Sequence, residues 1–156
     1  MGIDVYTYAR KNATLVDAQD SGVNWIELGF GHLLSKEDGG TAEFAYKDIG
    51  YLRESYHGAP YPTKLFIPES YDREHYEEFG EHDEYGERMS GVHIPLDVLE
   101  SRLEATLEMS ADRARRVYDI TKPEEIEMLG QPYKDFIAVH RALAAAEMPA
   151  YIFNSY

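Results

Sequence analysis

His75, Glu78 and His82 stand three and four residues apart, so on a helix they would share one face, with Tyr71 and Glu74 beside them. Two imidazoles and a carboxylate form a donor set for zinc or manganese. The spacing is weakly specific: a segment this rich in Glu and His produces such triplets by chance, and Gly80 inside it disfavours a helix. A second cluster, Arg53, Glu54, Ser55, Tyr56 and His57, offers a cation, a carboxylate, hydroxyls and a base just before Gly58. Ser55 and His57 do not make a nucleophile–base pair without a third group to orient the imidazole. A helix C-terminus completed by His57 accounts for the same residues. These two groups define the alternative reading, a small enzyme or metal-binding protein. No Walker loop, dinucleotide glycine fingerprint, His-Glu-x-x-His or nucleophile elbow occurs. The chain has no cysteine, which excludes disulfides, thiolate nucleophiles and cysteine-ligated metals. The expectation is therefore no cofactor, no metal, and an activity that is not enzymatic.

Binding chemistry is written more strongly. The stretch from Glu69 to Glu87 holds nine carboxylates, three tyrosines and Phe79 against one arginine, Arg73, and so supplies eight of the fourteen net negative charges. Carboxylates mixed with aromatic rings suit a surface that competes for a basic groove built to hold phosphates and stackable bases. The expected partner-binding residues are Tyr71, Glu74, Tyr76, Glu77, Glu78, Glu81, Asp83, Glu84 and Tyr85. The tyrosines would stack on a partner's guanidinium groups while the carboxylates accept its hydrogen bonds. A net charge of −14 disfavours direct binding to nucleic acid, since each phosphate adds repulsion. The partner read from the sequence is a basic, nucleic-acid-binding protein. In charge, aromatic content and length the chain resembles the phage-encoded DNA mimics that inhibit CRISPR or restriction systems; the resemblance is compositional and covers no diagnostic motif. With no signal-peptide pattern at Met1 to Tyr8 and no apolar run of membrane-spanning length, a soluble cytoplasmic protein is expected.

These residues must be carried by a frame. Ile3 to Tyr8 alternates as a half-buried strand does, and Asn24, Ile26, Leu28 and Phe30 repeat the pattern, predicting a hairpin or meander. A short helix is expected around Ile49, Leu52 and Tyr56, then a strand over Thr63–Ile67 closed by Pro68, and a short strand over Val92–Ile94. The clearest element is a helix from Pro95 to about Tyr118. Leu96, Leu99, Leu103, Leu107, Ala114 and Val117 form its apolar stripe. Asp97, Glu100, Glu104, Glu108 and Asp112 form an acidic ridge rising over roughly 22 Å on the other side. Arg113, Arg115 and Arg116 near its end can pair with Glu108 and Asp112.

Thr121-Lys122-Pro123-Glu124 reads as a capping box for a following helix, broken at Gly130-Gln131-Pro132. A second helical piece puts Tyr133, Phe136, Ile137, His140, Leu143 and Ala144 on one face, which predicts His140 as a core imidazole bonded to a backbone carbonyl. After Pro149, Ala150–Phe153 is a candidate strand, able to pair within the chain or across a subunit boundary. At 156 residues the sum is one α+β domain, residues 1–156. Two to three helices should cover one face of a small, mainly antiparallel sheet, with an acidic loop or helix between residues 69 and 90.

Overall fold

A computed structural model describes residues 4–11, 14–18, 21–36, 42–44, 62–67, 76–82, 86 and 88–155. The expected helix around Ile49 to Tyr56 lies outside the described residues. The fold is α+β, as expected. Among the described residues the strands are β1 (Asp4–Lys11), β2 (Thr14–Asp17), β3 (Leu34–Lys36), β4 (Ala42–Phe44), β5 (Glu77–His82), β6 (Arg88–Gly91) and β7 (Ala150–Ser155). The α-helices among them are α1 (Pro62–Phe66), α2 (Leu96–Tyr118) and α3 (Pro123–Ala145).

The central sheet has the order β2-β1-β7, and both pairings are antiparallel. The C-terminal strand thus pairs with β1 of its own chain. Tyr8 sits opposite Asp17 and Tyr151, while Ala9 sits opposite Val16 and Ala150. Because side chains alternate across a strand, this register sorts the sheet into two faces. Ala9, Val16, Ala150 and Ile152 belong to the large core with Leu99, Phe136, Val139 and Leu143 of the helices. Tyr8, Leu15 and Tyr151 belong to a second, smaller cluster on the other face. Beyond β7, Val92 and Ile152 exchange backbone hydrogen bonds of 2.9 Å each way, adding one bridge to the sheet edge. The expected strand over Val92–Ile94 is reduced to this bridge.

The helical layer follows the leucine stripe. Leu99 and Ala114 are buried and Leu96, Leu103 and Leu107 half-buried, whereas Val117, in the last turn, is exposed. Asp119 ends α2 in the left-handed region at φ 53°, and the Ile120 N–H donates to the Ala114 carbonyl. Arg113 is buried with its guanidinium over the Tyr118 ring, while Arg116 takes the expected bond to Asp112, 2.8 Å long.

Four local expectations are corrected. Residues 24–30 form a turn, not a strand: the Asn24 side chain accepts from the Glu27 N–H at 3.1 Å and Gly29 supplies φ 89°. As a result Trp25 is buried, donating Nε1–H to the Ala18 carbonyl, and Ile26, expected to be half-buried, is 74% exposed. The run Thr63–Ile67 is not a strand: Pro62–Phe66 is a short helix, begun by a proline whose fixed φ fits the first turn, and the Ile67 N–H donates to the Thr63 carbonyl. The capping box is not made, since Lys122 is the N-cap and no side chain bonds there. The break at Gly130-Gln131-Pro132 is absent, because α3 continues through Pro132. Proline forfeits one backbone hydrogen bond, but burial of Tyr133, Phe136, Ile137 and Leu143 on the following turns holds the helix together, each such side chain contributing about 1.5–3 kcal/mol. Gly130 packs tightly against α2, a Cβ there falling 2.7 Å from Leu107 Cδ2. The helix ends with Glu147 at φ 59° and the Met148 N–H on the Leu143 carbonyl, turning the chain into β7.

Candidate functional site

The described part of the acidic tract is chiefly strand, not helix. Glu77–His82 and Arg88–Gly91 are the antiparallel strands β5 and β6, with Glu77 opposite Gly91, Glu78 opposite Ser90 and His82 opposite Arg88. An irregularity in register falls between Glu78 and His82, where Gly80 adopts φ 73°; Gly86, between the strands, adopts φ 80°. The physical reason is period. Phe79 and Glu81 turn inward while Glu78, Gly80 and His82 face solvent, so the one large apolar side chain is half-buried by alternation and not by a helical stripe.

What holds this ribbon is the second face of the sheet. Phe79 meets Tyr151 edge-on at 5.0 Å, the Arg10 guanidinium lies 5.2 Å from the Phe79 ring centre, and Met89 packs on the same cluster. Glu81 turns back toward the edge strand, with Oε1 3.4 Å from the Leu15 N–H. Gly91 makes the passage from ribbon to sheet possible, because a Cβ there would lie 3.1 Å from the Ile152 carbonyl oxygen and 3.2 Å from Tyr151 Cβ. The central sheet is therefore covered twice, by helices on one face and by the acidic ribbon on the other.

The expected binding residues divide accordingly. Glu77 and Glu78 are exposed on the ribbon, and Glu78 is bonded to Arg88 at 3.3 Å. Glu81 is half-buried against β2, and Tyr76 is half-buried against the main core. Tyr71, Glu74, Asp83, Glu84 and Tyr85 lie outside the described residues. So do Arg53, Glu54, Ser55, Tyr56 and His57, and His75. Glu78 and His82 of the proposed metal triplet are both exposed, and among the described residues no group of three or more His, Cys, Asp or Glu converges as metal ligands would. No family model matches the chain, and no curated protein or solved structure matches it.

Asp97, Glu100, Glu104, Glu108 and Asp112 are all exposed along α2, as the periodicity requires. Glu100 holds Arg141 of α3 at 2.8 Å and Asp112 holds Arg116, leaving Asp97, Glu104 and Glu108 without an ion-pair partner among the described residues. This ridge belongs to the helical layer, on the opposite side of the sheet from the ribbon. His140 is the core imidazole that the sequence predicted, with Nδ1–H donating to the Phe136 carbonyl at 2.8 Å. Its Nε2 is buried with no partner among the described residues, and burial pushes its pKa from 6.5 down to about 4, against the opposing effect of the Phe136 hydrogen bond and with a smaller push from His93. His93 Nδ1–H donates to the Ala150 carbonyl at 2.8 Å, and its ring packs on Tyr151. Sequence reasoning missed Phe79 and Arg10 as the ribbon's anchors. The available signal was a lone phenylalanine between charged neighbours followed by glycines at 80 and 86. Among the described residues no helix is long and apolar enough to cross a membrane.

Proposed function

We propose that this protein is a non-enzymatic acidic binder whose β5–β6 ribbon occupies the nucleic-acid-binding surface of a basic partner protein in the cytoplasm, as a phage-type inhibitor of a CRISPR or restriction system would. The observation that carries the reading is the ribbon itself: exposed Glu77 and Glu78 stand on a two-stranded element fixed to the sheet by Phe79, Tyr151 and Arg10. Carboxylates pre-positioned on a strand pair cost less ordering entropy on binding than the same charges on a free chain, so more of their attraction appears as affinity. Electrostatic recognition of this kind steers association and weakens with salt.

Deleting the ribbon is a poor test, because it would bare Tyr8, Leu15 and Tyr151. Charge reversal is better. Glu77, Glu78 and Glu84 changed together to lysine are expected to abolish capture of a basic nucleic-acid-binding protein from the native host, in a pulldown eluted by a salt gradient. Glu81→Lys alone is expected to act mainly on stability, since Glu81 faces β2. Undiminished capture by the triple variant would refute the ribbon as the interface.

A further inference from the structure

We infer that the groove between α2 and α3 is a second binding site, one that takes a small organic anion with an apolar body, such as a medium-chain carboxylate. The groove has a volume of about 310 Å³, within the range of small-ligand pockets, and is lined by residues of both helices and of their connection. Its inner wall is apolar: Leu107 and Ile126 are half-buried, and Gly130 is the buried residue across which the helices close. A Cβ at Gly130 would fall 2.7 Å from Leu107 Cδ2, so glycine is what lets the two walls of the groove meet at this point.

Charge selects the occupant. Arg115, Lys134 and Glu127 are the exposed charged groups lining the groove. Elsewhere among the described residues the exposed arginines are paired: Arg88 with Glu78, Arg116 with Asp112 and Arg141 with Glu100. Arg115 and Lys134 have no carboxylate within ion-pair distance among the described residues, although the chain carries nearly twice as many acids as bases, 29 against 15. Two cations left open on an apolar cleft are complementary to a ligand with one anionic end and one greasy end. Glu127 sets a limit on that head group, favouring a single negative charge held toward Arg115 and Lys134. The groove lies in the helical layer, away from the ribbon, so this site does not depend on the partner reading.

Calorimetric titration of the full chain with octanoate, 1-octanol and octylammonium tests the inference, at an ionic strength of about 0.15 M to screen the distant carboxylates. Octanoate should bind saturably and more tightly than either of the others. Arg115→Gln with Lys134→Gln should weaken octanoate by about tenfold or more, the scale of one lost charge-assisted hydrogen bond. Glu127→Gln should tighten it. All three positions are exposed, so the variants are expected to keep the fold, checked by circular dichroism. No saturable binding by octanoate, equal binding of the alcohol or the amine, unchanged affinity in the double variant, or no tightening with Glu127→Gln would each overturn the proposal.

Discussion

At the scale of single residues, burial decides which of the titratable groups matter to the fold. His140 is neutral in the folded chain because solvation of an imidazolium is lost at its position, while the unfolded chain binds a proton near the ordinary value of 6.5. Its folded pKa is lowered, so the stability it allows is present above pH 6.5 and is lost as the pH falls toward about 4. Between pH 7 and pH 5 the native chain should lose about 2 kcal/mol through this group alone. His140→Met, which keeps an apolar side chain in the cavity and removes the proton site, should flatten that part of the slope. Urea unfolding of both proteins at the two pH values gives the comparison, and equal slopes would show that His140 is not responsible.

Elements act here as carriers of surfaces. The β5–β6 ribbon is fastened chiefly by Phe79, whose edge-on contact with Tyr151 and cation–π contact with Arg10 together amount to about 1–3 kcal/mol. Phe79→Ala should therefore loosen the ribbon without melting the helices. Hydrogen exchange should accelerate at residues 77–82 and 88–91 while the amides of α2 and α3 keep their protection. Uniform acceleration across the chain would mean that the ribbon is not a separable unit. The same substitution connects to function: if the ribbon is the interface, a loosened ribbon binds its partner more weakly, with all its carboxylates still present.

On the scale of the whole molecule, fourteen excess negative charges repel one another in the folded state more than in the expanded chain. Raising salt from about 10 mM to about 150 mM should screen that repulsion and raise Tm by about 2–4 °C, the equivalent of about 1 kcal/mol. Partner binding through the ribbon should respond in the opposite sense, weakening over the same range. A scanning thermal melt beside a salt-dependent binding measurement separates the two. A Tm that falls with salt would indicate that the exposed pairs, such as Glu100 with Arg141, outweigh the net repulsion.

Periodicity alone determined a good deal: the strand at β1, the long helix over Leu96–Tyr118 with its acidic ridge, the buried face of α3 including His140, and the terminal strand after Pro149. Each is a run long enough for a repeat of two or 3.6 residues to show, and nothing distant overrides it. Trp25, Thr63–Ile67 and the continuity of α3 through Pro132 were decided by tertiary structure. In those places a short run is compatible with several conformations, and a turn bond, a helical start or burial of the neighbouring turns selects one. The acidic tract belongs to the second group. Its composition announces charge, but whether that charge hangs free, coils or pairs depends on a face of Tyr8, Leu15 and Tyr151 contributed by the two ends of the chain, and no local pattern within residues 69–90 records that such a face will be waiting for Phe79.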